Sequence, residues 1–460
     1  MKRFFTVIIL ALITISVIGC GGKPATTEIE KVEESVDLNG YVFNFGVTSH
    51  VGNMPEILPD EAFSFRGDKV LQRYKDTAVF FNCEVNVYDM GLSYMDMSST
   101  LMASITAGEK YADLIETYPS NISGALELLQ PFNGIEGLEL YSGKWGSDNL
   151  IDGMSANGNS YGVYPSNWGL PYPWYDGCMF FVPEHIQAAG LSNPHEYWEK
   201  GQWTWDTFAE MCRAYTRTEN EKNMYGFVVT PQLQFVKACI LSNGAEPISK
   251  DEEGNFVFGL NDPKAITALE YFRDLIKIEK IGTYITDSWQ KANRGIMSGE
   301  YAFHCDASIL GFFEGDAHYA TELEIPWATI SFPTGPDGNK DDSTVYYSGK
   351  YLVMPLLPDY SDMENNVLIM NHIFEPLDGE DANSWKSYIR ENFFFEDDSF
   401  NHFIKNYEKA YPSYSIYLTT SNAKIVSVMD SVFNGKKAAS EIVASVMTAV
   451  QTELDEINSK

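Results

Sequence analysis

The sequence is poor in basic residues. It has 32 Lys and Arg against 64 Asp and Glu, with 7 His, which gives a formal net charge of −32 at pH 7. A surface of this sign repels phosphate backbones, so we expect no nucleic-acid partner. The charge identifies no other ligand, because a strongly charged surface also keeps a protein soluble.

Cysteine and histidine are also scarce. No CxxC pair occurs, and an odd number of cysteines follows Cys20, namely Cys83, Cys178, Cys212, Cys239 and Cys305. Five cysteines cannot all pair within one chain, and a chain with 44% hydrophobic residues does not need a disulfide framework. The scattered His form no metal motif, and no nucleophile elbow, His-Glu-x-x-His or phosphate loop occurs. We therefore expect no metal, no cofactor and no catalytic residue.

The N-terminus has the pattern of an export signal. Lys2 and Arg3 precede an uncharged apolar run, Phe4–Gly19, which is shorter than the about 20 residues that span a bilayer. The run ends in Val17–Cys20, which resembles the lipobox of bacterial lipoproteins. We expect residues 1–19 to be a signal peptide and Cys20 to carry the acyl chains, including palmitate, that anchor the chain to the outer face of the bacterial cell membrane. The alternative is an ordinary cleaved signal with an incidental cysteine.

The mature chain is large enough for two lobes. Removal of residues 1–19 takes away two basic residues and no acid, so the net charge moves from −32 to −34. Residues 20–37 are rich in Gly, Thr, Glu and Lys without apolar periodicity, and this composition predicts a flexible tether. The remaining residues, about 420, exceed what one core usually serves.

Strand and helix patterns alternate at the start of this region. Tyr41–Val47 is rich in aromatic and β-branched residues and predicts a strand. Two helices are predicted next, of which the second is shorter and ends at Gly108. A brief strand is then predicted over Ala112–Ile115. The first helix has an apolar stripe of Val70, Leu71, Tyr74, Ala78 and Phe81. This order is typical of α/β layering.

The rest of the chain is rich in helix signals. Thr204 and Asp262-Pro263 are predicted helix starts, and Gly299 should end a helix before a strand over Tyr301–His304. Two amphipathic helices are predicted near the C-terminus. Their stripes are Ile425, Val428, Met429 and Val432, then Val443, Val446, Met447, Val450, Leu454 and Ile457.

The order of six segments resembles the extracellular solute-binding proteins of carbohydrate ABC importers, the group that includes maltose-binding protein. The segments are Ile105–Ile115, Gly158–Pro165, Met179–Ile186, Trp203–Phe208, Met297–Phe303 and Phe433–Ala439. The resemblance covers most of the mature chain. It implies a two-lobed periplasmic-binding-protein-like α/β fold with a helix-rich C-terminal lobe, hinge strands between the lobes and a solute held in the cleft.

The resemblance also implies how the chain is divided. The N-terminal lobe would contain residues 38–168 and 346–400, and the C-terminal lobe residues 169–345 and 401–460. The chain would cross between lobes near residues 168–176, near residues 346–351 and around residue 400. The implied protein is a monomer without enzymatic activity that delivers its solute to the permease subunits of an ABC importer.

A sugar site needs aromatic planes for the ring faces and polar groups for the hydroxyls. The region of residues 157–176 contains both, and its three prolines make a helix improbable. We predict Trp168 and Trp174 as stacking residues, with Tyr172 and Tyr175 beside them. Trp205 is expected to pack the start of its helix, and Trp203 is undecided.

Further ligand contacts are expected where strands end, as in the family that the sequence resembles. The candidates are Ser49, His50, Glu116, Tyr118, Asp306, Tyr346 and Tyr347. Relatives often have a stacking Trp shortly after the position of Asp306, and this chain does not. Stacking of a tryptophan on the sugar ring would then depend on Trp327 or Trp289.

Three other functions remain open. A lipid-anchored glycosidase is possible in principle, since among 64 acidic residues some carboxylate pair will have a suitable spacing. The same fold could bind a peptide, a phosphorylated solute or another small molecule. An anionic solute is disfavoured because residues 157–177 contain no Arg or Lys. A sensory or adhesive surface protein without a transporter is the third alternative.

Overall fold

The computed structural model describes most of the chain after residue 35. The described ranges are 36–47, 57–58, 67–92, 96–119, 126–156, 158–165, 175–219, 221–230, 233–285, 289–307, 325–341, 344–347, 351–357, 359–411, 421–434 and 437–459. Apart from Val36, they belong to one compact unit, Asp37–Lys460. The expected signal peptide, Cys20 and nearly all of the tether lie outside the described residues.

Seventeen strands are described. In chain order they are β1 Tyr41–Val47, β2 Cys83–Asp89, β3 Leu114–Thr117, β4 Leu129–Gln130, β5 Ser155–Ala156, β6 Asn159–Ser160, β7 Tyr175–Asp176, β8 Cys178–Phe181, β9 Arg217–Glu219, β10 Lys222–Val229, β11 Ile248–Lys250, β12 Phe256–Phe258, β13 Gly282–Tyr284, β14 Tyr301–Ala307, β15 Ala328–Ile330, β16 Tyr346–Tyr347 and β17 Tyr351–Pro355.

Fourteen helices are described. In chain order they are α1 Gly67–Phe81, α2 Met97–Ala107, α3 Asp148–Gly153, α4 Pro183–Ala188, α5 Pro194–Glu199, α6 Trp205–Tyr215, α7 Leu233–Ser242, α8 Pro263–Lys277, α9 Trp289–Met297, α10 Asp362–Ile373, α11 Ser384–Phe393, α12 Asp397–Lys409, α13 Ser421–Asn434 and α14 Ala439–Asn458. In these ranges no helix is both long and apolar enough to cross a bilayer.

The first sheet has the strand order β2-β1-β3-β17-β4. Strand β1 pairs in parallel with β2 and β3, and β17 runs antiparallel to β3. The predicted strand at residues 41–47 is confirmed, and the strand predicted over 112–115 lies two residues later. Helix α1 connects β1 to β2 and packs against α10, which gives the strand–helix–strand layering that the sequence predicted.

The buried face of α1 differs in part from the predicted stripe. Val70, Tyr74 and Phe81 are buried, whereas Leu71 is 43% exposed, so its placement on the stripe is wrong. Arg73 and Thr77 are buried there instead. The Arg73 guanidinium donates hydrogen bonds to three carbonyls at and just after the C-terminal end of α10, at 2.6 to 3.0 Å. A polar partner on α10, which no local pattern reveals, therefore sets the rotation of α1.

The second sheet has the order β13-β10-β14-β8-β15, with β9 added to β10. Its parallel strands β13, β10 and β14 alternate along the chain with helices. The predicted helix starts are confirmed, because Thr204 Oγ1 accepts from the Thr207 amide and Asp262 Oδ1 accepts from the Lys264 amide. Gly299, with φ of 74°, ends the turn before β14 as predicted.

The C-terminal helices α13 and α14 pack on each other and on α8. Most residues of the two predicted stripes are buried or half-buried, but Met447 is exposed and Ile442 takes its place. The side chain of Met429 lies outside the described residues. These helices make the lobe of the second sheet rich in helix.

Candidate functional site

A two-stranded ribbon lies where the chain passes between the two sheets. Strand β7 precedes β8 of the second sheet, and β16 lies between β15 of the second sheet and β17 of the first. The two strands pair antiparallel, with Tyr347 opposite Tyr175 and Tyr346 opposite Asp176. Tyr411, which follows α12, joins them through backbone hydrogen bonds with Tyr347 at 2.8 Å and Val345 at 3.0 Å. Three chain segments therefore meet at the ribbon.

Gly177 allows the chain to turn from the ribbon into the second sheet. Its φ is 89°, a conformation that residues with a Cβ rarely adopt. A Cβ at this position would lie 3.0 Å from Cβ of Ala238 on α7 and 3.2 Å from the carbonyl oxygen of Thr344. The ribbon thus approaches α7 so closely that only glycine fits without a shift.

A cluster of tyrosines, which we call the tyrosine cluster, fills the space beside the ribbon. Its members are Tyr164, Tyr347, Tyr351 and Tyr407, from three different parts of the chain, and all are buried. The Tyr347 ring meets Tyr164 edge-on at 5.1 Å and Tyr351 edge-on at 4.9 Å. Edge-to-face pairs of this kind add stability beyond the burial of their area.

The phenols of the cluster are neutral. Burial, then the neighbouring tyrosines, holds the pKa of Tyr164 and of Tyr347 well above its usual value. The hydroxyls of these two residues are hydrogen-bonded to each other. Neutral phenols both donate and accept hydrogen bonds, which suits a site for an uncharged solute better than a site for proton transfer near pH 7.

Glu116 and Tyr118 lie at the end of β3, next to the cluster. The Glu116 side chain is buried, and its charge helps to raise the pKa of Tyr164. In the register of β3 with β17, the Glu116 backbone lies opposite Leu352. Tyr118 is half-buried. Glu116 was expected to follow the strand but lies inside β3 and is buried there, because the strand begins and ends two residues later than predicted. Tyr118 directly follows the strand, as expected.

Lys237 on α7 brings a cation to the ribbon. Its Nζ lies 4.5 Å from the centre of the Tyr346 ring, a cation–π contact. Sequence reasoning missed this residue, because it examined only residues 157–177 for positive charge and no motif connects Lys237 with Tyr346. The sequence analysis predicted no helix over Leu233–Ser242, so no local signal pointed to this lysine.

The structure brings together four of the predicted ligand residues: Glu116, Tyr175, Tyr346 and Tyr347. All four are buried, and the Tyr175 hydroxyl donates to the carbonyl of Phe403 at 3.3 Å. Asp306 lies at the end of β14, and nothing is described of its side chain. The other candidates, Ser49, His50, Trp168, Tyr172 and Trp174, lie outside the described residues and stay predictions.

Three further tryptophans have structural roles. Trp205 stacks on Tyr271 at 4.5 Å and donates to Ser242 Oγ at 3.0 Å, so it packs its helix start as expected. Trp203 is buried and donates to a backbone carbonyl. Trp327 is 1% exposed between Phe180 and Phe394, which removes it as a replacement stacking residue. The side chain of Trp289, the other replacement, is not among those described.

Among the described residues, no group of three or more His, Cys, Asp or Glu is arranged to hold a metal ion. The five cysteines from Cys83 to Cys305 are all thiols, and none of them forms a disulfide. Burial raises the pKa of the Cys212 thiol well above its usual value, so this thiol stays protonated and unreactive.

No protein-family model matches the chain, and no curated protein matches it in sequence. Solved structures match it closely in fold. The GacH receptor of Streptomyces glaucescens, solved unliganded and with acarbose, shares 13% identity at a TM-score of 0.60 over 91% of this chain and 99% of that one. The cyclic α-maltosyl-1,6-maltose binding protein of Arthrobacter globiformis shares 12% identity at a TM-score of 0.65, over 91% of this chain and 100% of that one.

A third neighbour binds a different kind of molecule. UgpB of Mycobacterium tuberculosis, solved with glycerophosphocholine, shares 14% identity at a TM-score of 0.59 over 89% of this chain and 98% of that one. The similarity thus covers nearly the whole length of all three binding proteins. The chain has the two-lobed α/β fold of these solved binding proteins, as the order of its sequence motifs predicted.

Proposed function

We propose that this protein captures a sugar or oligosaccharide between its lobes and delivers it to the permease subunits of an ABC importer. The observation that carries the proposal is the fold, which aligns with sugar-binding proteins over 91% of the chain. The ribbon and the tyrosine cluster are consistent with it, because three meeting chain segments make a short connection about which lobes can close.

Capture in this scheme breaks no bond. The solute enters between the lobes, aromatic rings cover the faces of its sugar rings, and neutral polar groups bind its hydroxyls. Trp168 and Trp174 are the proposed stacking residues, and Glu116, Tyr118 and Tyr346 are polar groups near the ribbon. Closure about the ribbon then holds the solute unchanged until the protein meets the permease.

The place of action is part of the proposal. We infer that residues 1–19 direct export, that Cys20 is lipidated, and that the protein is held as a monomer at the outer face of the bacterial cell membrane. The lipobox-like Val17–Cys20 supports this. Growth of the producing cells with a radiolabelled palmitate should label the wild-type chain and not Cys20→Ser, whereas equal labelling of both would contradict the anchor.

A ligand screen tests the solute class. Mono- and oligosaccharides are added to the compact unit, residues 37–460, and the shift in melting temperature is followed against concentration. A ligand that binds only the folded state stabilises it by RT ln(1 + [L]/Kd). A saturable shift without new products by chromatography supports a binding protein, and turnover of the oligosaccharide supports the glycosidase.

Substitution of the proposed stacking residues tests the site. Trp168→Ala and Trp174→Ala should each weaken the best ligand by at least about tenfold, or 1.4 kcal/mol. Tyr360→Ala is the control, because this aromatic is 60% exposed and lies outside the tyrosine cluster. Unchanged affinity in both Trp variants would show that the stacking residues are elsewhere.

A phosphorylated or other anionic solute is the second candidate. Lys237 beside Tyr346 supports it, and the neighbour from Mycobacterium tuberculosis was solved with glycerophosphocholine. Glycerophosphocholine and sugar phosphates therefore belong in the same screen. Binding of these compounds that is lost in Lys237→Gln, without binding of neutral sugars, would favour this candidate over the first.

A further inference from the structure

A cavity lies on the lobe of the second sheet, between α5 and α12. Its volume is about 310 Å³, at the lower end of the range for small-molecule sites. Helix α5 contributes His195, Trp198 and Glu199, and α12 contributes Asp398, Asn401, His402 and Lys405. None of these residues belongs to the ribbon or the tyrosine cluster, so the cavity is separate from the candidate site described above.

Two histidines form the floor of the cavity. The rings of His195 and His402 are stacked, with centres 4.9 Å apart and planes 12° apart, and the two residues are only 3% and 5% exposed. Trp198 meets His402 edge-on at 4.4 Å. The arrangement is fixed from below, because His195 Nε2 lies 2.9 Å from the carbonyl oxygen of Thr329 on β15.

The floor of the cavity is polar but closed. A carbonyl oxygen only accepts, so His195 Nε2 carries the proton and donates to Thr329. Within the described residues neither His195 Nδ1 nor His402 Nδ1 has a hydrogen-bond partner, and both atoms have almost no accessible surface. An occupant would therefore contact the walls and the rim of the cavity, and the two rings form a rigid base beneath it.

The charges at the rim are mixed. Glu199 and Asp398 are exposed carboxylates, while Lys405 Nζ lies 4.3 Å from the centre of the Trp198 ring and donates to the carbonyl of Lys340 at 3.4 Å. The cavity thus offers acceptors from the two carboxylates, and donors from Lys405 and Asn401. Such a lining matches groups that both donate and accept.

Two other classes of occupant fit less well. A metal ion needs lone pairs that converge at about 2.0–2.1 Å from each His nitrogen, and in the described part of the chain no three His, Cys, Asp or Glu are arranged to hold one. A small anion would face the carboxylates of Glu199 and Asp398. Burial lowers the pKa of His402 to about 3, so this residue brings no positive charge to bind an anion at neutral pH.

We propose that this cavity is a second ligand site, which binds a neutral polyhydroxylated unit such as a single sugar ring. Hydroxyl groups donate to the carboxylates of Glu199 and Asp398, and accept from Lys405. Trp198 at the wall gives apolar contact for the C–H groups of the ring. The site is independent of what the cleft between the lobes binds.

The test uses the full chain labelled with ¹⁵N and methyl α-D-glucopyranoside as the probe. The Nε1–H signal of Trp198, assigned by its loss in Trp198→Phe, should shift in a saturable way with a Kd of order 1 mM. Asp398→Ala should weaken this binding about tenfold or more. Glu196→Ala is the matched control, because Glu196 is exposed on α5 and does not line the cavity, and it should leave the titration unchanged.

Three results would overturn the proposal. The first is no shift of the Trp198 signal at about 100 mM glycoside, which is a hundredfold above the expected Kd. The others are a shift that Asp398→Ala leaves unaltered, and a stronger response to ethanolamine, which would identify a cation site. The same titration in Trp168→Ala separates this site from the cleft. Binding at Trp198 should persist there, even if the cleft binds no sugar in any variant.

Discussion

Gly177→Ala should destabilise the protein more than the same change at another glycine of similar φ. With φ of 89° at Gly177, a Cβ costs about 1–2 kcal/mol in backbone strain alone. The Cβ would also lie 3.0 Å from Ala238 Cβ and 3.2 Å from the oxygen of Thr344, and overpacking of this kind costs about 1–3 kcal/mol more. We therefore expect a total loss of about 2–5 kcal/mol in unfolding free energy.

Gly254→Ala is the matched control. Gly254 has φ of 85° in the turn between β11 and β12, and a Cβ there meets no atom within 4 Å. It should lose only the strain, about 1–2 kcal/mol. Urea unfolding of residues 37–460, followed by circular dichroism, gives both values from the shift in midpoint at constant m. Equal losses in the two variants would refute the close approach of the ribbon to α7.

Three other changes test separate parts of the structure. Arg73→Met should lower the unfolding free energy by about 2–4 kcal/mol in the same urea assay, because it leaves the carbonyls at the end of α10 without their charged donor; a loss below about 1 kcal/mol would contradict that role. Tyr347→Phe should cost about 1–2 kcal/mol at pH 7 through the lost hydrogen bond to Tyr164. Because the pKa of Tyr347 is raised in the folded state, its contribution to the unfolding free energy is complete below pH 10 and is lost above it. Tyr347→Phe should therefore lose less stability than wild type between pH 10 and 11. Identical plots of stability against pH for the two proteins would refute the burial of this phenol. Burial lowers the pKa of His304 to about 3 in the folded state. Its contribution to the unfolding free energy is therefore present above the unfolded pKa of about 6.5 and falls by about 1.4 kcal/mol per pH unit as the pH drops from 6.5 to 3. In urea unfolding at pH 4 to 7, His304→Gln should lose stability less steeply with falling pH than wild type, and an unaltered slope would place the charge change on another residue.

The sequence predicted those parts of the fold that local chemistry determines. Thr204 and Asp262 cap their helices through bonds to amides two or three residues away, so a short window contains all the information. Gly299 ends its helix for the same reason. Leu71 shows the limit of this reasoning, because its exposure depends on how Arg73 is placed against the distant helix α10.

The candidate site could be predicted only in outline. Tyr175 and Tyr347 were expected near lobe crossings by resemblance, and they pair with each other in the ribbon. Tyr164 and Tyr351 lie in the predicted region 157–176 and at the end of the predicted crossing 346–351, although neither was named as a contact. Tyr407 was not expected, because no periodicity connects its helix with the ribbon. Lys237 was missed for the same reason, although its contact with Tyr346 decides how much positive charge a solute meets there.

The ribbon has little stability of its own, since β7 and β16 have only two residues each. Its position depends on side-chain contacts with distant segments: Tyr175 donates to Phe403, 228 residues later in the chain, and Tyr347 packs on Tyr164 and Tyr351. A connection of two paired residues can bend without breaking a long ladder, whereas the aromatic contacts around it restore one arrangement after bending. A solute that closes the lobes must therefore compensate for any aromatic contact that closure disturbs. Substitutions in the cluster should for this reason change ligand affinity and unfolding free energy together, while substitutions at Trp168 and Trp174 should change affinity with little effect on stability.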